Sequence, residues 1–317
     1  MKRRAARARS AAAIGCSRGL VAVLCVVVGL AAVSAASGQR ERSAAQPQWI
    51  LFTADPSGLG IDQIFRISLS GKGLKQLTKG QYPSEAPAFS PNGKRIAFTR
   101  LGVGIFTMNV DGTGLRRLTA NGRDNSPAWS PDGKHIAFLR PTATAWRVYV
   151  MSASGAGQRR LPQAPAAGRP SWTQHGLLIP TQGDLARIDP RSGRLQKLLG
   201  ARIDATGGMD TTAVSPDLST LTYVGPRPPV PGDKGCGEGV PCAVFGLYIQ
   251  NLRAHKAPRI LARDTGPATF SPDGKRLAYV ASNHRIVLRV LANGKSTSVA
   301  TGKITPTTTS PPAWQPR

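Results

Sequence analysis

The sequence predicts an all-β protein, a six-bladed β-propeller closed by a C-terminal strand that completes the first blade. Three observations predict it. A motif of Pro-x-aromatic-Ser-Pro-Asp-Gly-Lys followed by Ile-Ala-Phe recurs along the chain. Its marker positions Ser90, Ser130, Thr173, Ser215, Ser271 and Gln315 lie 40, 43, 42, 56 and 44 residues apart, the length of a four-stranded blade. Each end of the chain also holds the part of a unit that the other end lacks.

The elements follow in order. Residues 1–18 carry Lys2, Arg3, Arg4, Arg7, Arg9 and Arg18 and no acid, and an uncharged apolar run from Gly19 leads to the small residues Ser34–Gly38. This is the pattern of a secretory signal, with Val33 and Ala35 fitting a small-x-small site and cleavage expected after Ala35. An uncleaved N-terminal membrane anchor is the alternative, because Gly19 to Ala36 is just long enough to span. Either way the remainder is expected outside the cytoplasm, with 36–46 a linker and 47–317 the propeller. Gly15-Cys16-Ser17-Arg18-Gly19 matches G-x-S-x-G, but a nucleophile elbow needs a strand before it and a helix after it, which a leader does not supply.

Within the propeller the motif reads PAFSPNGKRIAF at 87–98, PAWSPDGKHIAF at 127–138 and a degraded PSWTQHGLLI at 170–179. TAVSPDLSTLTY at 212–223, ATFSPDGKRLAY at 268–279 and a truncated PAWQPR at 312–317 complete the series. In the second unit four short strands are expected, at 86–90, 95–100, 103–109 and 114–119. Ser-Pro-Asn-Gly makes the first tight turn, and Asp111-Gly-Thr-Gly the third. The first unit starts directly at its second strand, near Trp49, while 312–317 is only the missing first strand. The tail therefore supplies the innermost strand of the first blade and leaves no open edge.

The repeated S-P-D-G-K-x-I-A-F followed by D-G-x-x-x-x-L-T resembles the WD-type repeats of TolB-like six-bladed propellers, over residues 49–317. The resemblance implies the fold. It does not imply one activity, because such propellers serve as binding platforms, peptidase gating domains and sugar-acting enzymes. TolB itself carries a separate domain before its propeller, and 36–46 leaves no room for one, so a TolB-like protein other than TolB is expected. Propeller peptidases append a hydrolase domain, and none is expected here because the closing strand falls at 312–317.

Composition narrows the function further. Forty per cent apolar content is too high for a disordered chain, and 26 Pro with 35 Gly is too high for a helical one. Six per cent aromatics, four His and four Cys argue against haem, iron–sulfur and multi-zinc proteins, and no cofactor is expected. The net charge of +26 invites a nucleic-acid reading. No helix-turn-helix, finger or aromatic-basic interleaving supports it, and the export signal removes the usual partner.

Antiparallel strands put the first and third turns of each blade on one face, and the second loops and blade connections on the other. Binding residues usually ride on such longer, varied loops. The surplus of the 56-residue period falls there, at 225–243. It contains Cys236 and Cys242, for which a disulfide is expected in an exported protein, a metal site being the weaker alternative. Glu85, Asp124, Asp210 and Asp264 precede four inner strands at nearly matching positions. They could ring the channel mouth and receive a cationic peptide group or a metal ion, or each could cap its own turn. Trp146 beside Arg147 in a second loop is a candidate ligand contact, and His284 is the one histidine on the loop face. Phe89, Trp129, Trp172, Phe270 and Trp314 recur at one blade position and read as packing between blades. Lys75, Arg116, Arg117 and Arg159 favour outer strands, where cations block edge pairing.

The function expected is an exported, non-catalytic, monomeric scaffold that binds a protein or peptide through its loop face and channel mouth. An extracytoplasmic glycan- or peptide-acting hydrolase or lyase is one alternative, needing two carboxylates across the mouth. A passive envelope component bound to anionic wall polymer through its basic periphery is the other.

Overall fold

The computed structural model describes residues 48–166, 168–181, 183–203, 212–226, 245–254 and 257–316. The leader or anchor, the linker, Asp210, Cys236 and Cys242 lie outside them. The first unit contributes β1 (Trp49–Ala54), β2 (Gln63–Ser68) and β3 (Lys75–Gln76), and the second β4 (Ser84–Phe89), β5 (Arg95–Arg100), β6 (Gly104–Asn109) and β7 (Arg116–Arg117). The third is β8 (Asn125–Trp129), β9 (His135–Pro141), β10 (Trp146–Ser152) and β11 (Arg159–Ala166). The fourth is β12 (Ser171–Thr173), β13 (Gly176–Thr181), β14 (Gly183–Ile188) and β15 (Leu195–Ile203). The fifth is β16 (Ala213–Val214), β17 (Thr220–Pro226), β18 (Phe245–Asn251) and β19 (Arg259–Arg263). The sixth is β20 (Thr269–Phe270), β21 (Arg276–Val280), β22 (Ile286–Val290) and β23 (Ser296–Val299), followed by β24 (Ala313–Trp314).

These strands form six four-stranded antiparallel sheets, and β24 joins β1–β3 to complete the first. Ile50 pairs with Trp314 and Leu51 with Ala313. Gln315 occupies the marker position that Ser holds in other blades, and its side chain takes over the serine's task. Its Oε1 accepts from Trp49 N at 3.1 Å, as Ser90 Oγ accepts from Arg95 N at 2.9 Å. Its Nε2 donates to Gly93 O in the second blade at 3.0 Å. A side chain thus replaces a continuous turn where the ring closes.

The Ser-Pro-Asp-Gly turns form for local reasons. Ser130 Oγ donates to Asp132 Oδ1 at 2.5 Å and accepts from His135 N at 2.9 Å, while Asp132 Oδ1 accepts from Lys134 N at 3.0 Å. The same set recurs around Ser271 and Asp273. The serine hydroxyl holds the Asp132 carboxyl below its ordinary value, and the Ser215 hydroxyl does the same to Asp217, bringing it to about 2.

Packing lies between blades. Six buried clusters each join one sheet to the next, so residues alternating along the second strand of a blade enter two different interfaces. Ile136 and Phe138 pack toward the second blade with Ala97 and Trp129, whereas Ala137 and Leu139 pack toward the fourth with Leu177 and Ile179. The aromatic of Ile-Ala-Phe also stacks on its cross-strand partner. Phe52–Phe65, Phe98–Phe106, Phe138–Tyr149 and Tyr223–Tyr248 have ring centroids 5.1–5.8 Å apart. Phe89, Trp129, Phe270 and Trp314 are buried in these interfaces as expected, and Trp172 packs there partly buried.

The second unit departs from expectation at both ends. Its inner strand begins two residues early, because a bulge with Ala86 at φ 50° lets Ser84 and Glu85 pair with Arg100 and Thr99. Its outer strand shrinks to Arg116–Arg117. No helix among the described residues is long and apolar enough to cross a membrane.

Candidate functional site

The inner strands β4, β8, β12, β16, β20 and β24 together surround a central cavity of about 600 Å³. Each pairs on one side only, so its other edge faces the axis. Pro87 and Pro127 lie within β4 and β8, Pro170 directly precedes β12, and Pro311 and Pro312 directly precede β24; all five line the cavity and have no amide N–H to offer. Among the described lining residues the single charged side chain is Arg169. Arg169 precedes the fourth inner strand, yet its Nη2 donates to Ala86 O at 3.4 Å and Pro87 O at 3.0 Å on the second. The guanidinium therefore runs past the third blade as a chord of the ring.

Sequence reasoning missed Arg169. The signal was present, since the residues directly before the first motif position are Ala86, Ser126, Arg169, Thr211, Pro267 and Pro311, and only one carries charge.

The proposed carboxylate ring takes a different form. None of Glu85, Asp124 and Asp264 lines the cavity. Glu85 pairs with Thr99, and its counterpart one blade on is Asn125, opposite Leu139. Asp124 thus corresponds to Ser84, one residue away, and a one-residue offset along a strand puts side chains on opposite faces. Asp124 is fully buried and forms a two-pronged ion pair with Arg140, at 2.6 Å from Nε and 2.7 Å from Nη2. That hydrogen bond raises the Arg140 pKa, and the guanidinium also lies over Tyr149 at 4.6 Å. Asp264 is exposed, follows β19 and adopts a φ of 49°. Asp210 lies outside the described residues. Among those residues no group of three or more His, Cys, Asp or Glu side chains could hold a metal ion.

Trp146 and Arg147 lie in β10 rather than in a loop. They pair with Pro141 and Arg140, and Trp146 packs against the interface of the third and fourth blades. The strand extends this far because Thr142 and Ala145 close a tight turn, with Thr142 N donating to Ala145 O at 2.8 Å. His284 is exposed in the tight Ala281–Arg285 turn, with Nδ1 3.1 Å from Pro306 O. It lines a depression of about 430 Å³ with Arg285, Thr301 and Thr305.

The outer-strand cations reach the neighbouring blade. Lys75 Nζ donates to Asp111 O at 2.8 Å, Arg116 Nη2 to Ser154 O at 3.0 Å, and Arg159 Nη2 to Pro190 O. Each acceptor lies in the third turn of the next blade. Asp62, just before β2, is buried and accepts from Thr307 and Thr309 at 3.0 and 2.6 Å, tying the tail to the first blade.

Six sheets closed around one axis define a β-propeller with a central cavity. Residues 43–179 match the family model described as TolB beta propeller domain, and the six-bladed fold is similar to that of solved propellers. TolB from Acinetobacter baumannii superposes with a TM-score of 0.61 at 19% identity, over 85% of this chain and 67% of that one. A chain of a nidogen/laminin complex superposes with a TM-score of 0.60 at 14% identity, over 84% and 98%. Comparison with curated proteins returns no match.

Proposed function

We propose that this chain is an exported, non-catalytic propeller scaffold that binds a protein or peptide at the axis and loop face of the ring. The observation that carries the reading is the central cavity, to which all six blades contribute. Its volume lies in the range of ligand sites, and its wall mixes proline and aromatic side chains with Arg169, Ser171, Gln174 and Thr212. Residues from sequence-distant blades are fixed by buried interfaces, so a partner loses little binding energy in ordering the receptor. The ion-paired Asp124 supports binding over acid–base chemistry, because its carboxylate already serves a structural partner. The similarity to a chain found in a nidogen/laminin complex supports a protein partner. Export rests on the N-terminal basic and apolar pattern and on the likeness to TolB.

Capture from an envelope extract tests the reading. The full chain is expected to retain a discrete protein in about 0.5 M salt. Ser171→Trp, which fills the cavity, is expected to lose it with melting unchanged. Retention only of anionic polymer, vanishing in that salt, would establish the passive-envelope reading instead. Turnover of a glycan or peptide substrate would establish the hydrolase or lyase.

A further inference from the structure

We propose that the second blade holds an anion site between Ser84 and Arg100, and that it takes a small carboxylate where the third blade places the Asp124 side chain. This is independent of the axial binding reading. Ser84 pairs with Arg100 across β4 and β5, and Asn125 with Leu139 across β8 and β9, so Asp124 and Arg140 hold the matching register one blade on. The backbone of the second site is fixed by Ser84 N, which donates to Asp62 O at 2.8 Å, and by Leu101 N, which donates to Pro83 O at 2.9 Å. The two guanidiniums also lie alike over their aromatic pairs. Arg100 is 5.9 and 5.0 Å from the Phe98 and Phe106 centroids, and Arg140 5.3 and 4.6 Å from those of Phe138 and Tyr149. What differs is the anion. Asp124 engages Nε and Nη2 of Arg140, whereas Arg100 Nη2 reaches a neutral carbonyl, Lys79 O, at 3.5 Å.

The unsatisfied groups point to the same ligand. Ser84 is fully buried and its Oγ has no hydrogen-bond partner, and Arg100 Nε is likewise buried and unpartnered. Buried polar groups in native proteins are as a rule satisfied, and a buried charge without a counter-charge is costly. Burial accordingly lowers the Arg100 pKa, while the hydrogen bond from Asp124 raises that of Arg140. Both groups can donate, so the ligand must bring acceptors, and a guanidinium edge of Nε and Nη2 matches a planar carboxylate. Serine Oγ stands where aspartate has Cγ, so what Ser84 lacks is the two carboxylate oxygens. Neighbouring acids are turned elsewhere. Glu85, next along β4, pairs with Thr99 on the other face, and Asp62 accepts from Thr307 and Thr309. The connection 79–82 is exposed throughout and borders the site on the solvent side.

The test follows thermal melting of the full chain, and the line width of labelled formate, at neutral pH and constant ionic strength, with sodium chloride exchanged for sodium formate or acetate. Wild type is expected to melt about 3 °C higher when the acid is about tenfold above its dissociation constant, and to broaden the formate signal. Acetamide, the neutral analogue of acetate, is expected to change nothing. Ser84→Asp fills the site from within, so it is expected to start from a higher melting temperature and to lose both responses. Arg100→Gln is expected to lose them as well. Acetyl-Glu-amide beside acetyl-Gln-amide separates the sources of the carboxylate. A response to formate and acetate assigns the site to a free acid, and a response to acetyl-Glu-amide alone assigns it to an acidic side chain of a partner; either supports the site. Equal responses in wild type and Ser84→Asp, a response that survives Arg100→Gln, an equal effect of acetamide, or no response to any carboxylate overturns the proposal.

Discussion

Ser84 and Arg100 in the second blade stand where Asp124 and Arg140 stand in the third, and the difference leaves a mark. Ser84 Oγ and Arg100 Nε are both buried without a hydrogen-bond partner, and burial lowers the Arg100 pKa. Serine is too short to make the pair that aspartate makes. Ser84→Asp is therefore expected to rebuild it and stabilise the chain by about 1 kcal/mol in urea unfolding, a gain absent in an Arg100→Leu background. No gain in the wild-type background would show that Ser84 and Arg100 are not held as the third blade is. At this scale the legible features were those completed within a few residues, such as the serine–aspartate turns. The ion pair spans sixteen positions. Its register depends on a bulge at Ser126, with φ 54°, that motif alignment does not reveal. The second blade carries the same bulge at Ala86, so the difference lies in spacing: Glu85 stands five residues before Ser90 and Asp124 six before Ser130, which puts them on opposite faces.

In the second, third and fourth blades the third turn is an element with a docking role. It rests against the outermost strand of the preceding blade, where Lys75, Arg116 and Arg159 seize its carbonyls. Gly155 shows how close the approach is: at φ 88°, a Cβ there would lie 2.9 Å from Leu118 O. Gly157 in the same turn has φ 66° but open space around it. Both Gly→Ala changes impose backbone strain of about 1 kcal/mol. Gly155→Ala should cost at least about 2 kcal/mol more through the clash, read from urea midpoints. Equal losses at the two positions would mean that the turn does not dock. The Asp-Gly-x-Gly pattern made the turn legible, yet its purpose lay in contacts some forty residues away. The outer strand of the second unit is shorter than expected, and the cross-blade hydrogen bond of Arg116 stands beside what remains of its ladder.

For the whole molecule, strand number and closure were legible because a repeat of constant length leaves few other ways to bury two-sided sheets. The axial cavity was not, because it belongs to six inner strands at once and no single unit contains it. The seam should be the weakest circumferential joint. A chain ended at Ser310 loses β24, including the buried Trp314, and exposes the edge of β1. It is expected to melt on the order of 10 °C lower and to self-associate on size exclusion, with a peptide spanning 311–317 restoring both when added in trans. Melting that stays where it was would refute the seam. The seam also governs when the ring can exist during synthesis. Every other blade can be assembled from residues already made, but the first stays unfinished until residue 314 leaves the ribosome. Under the export proposed above, that arrangement is a built-in delay, because the shape cannot lock while the thread is still passing.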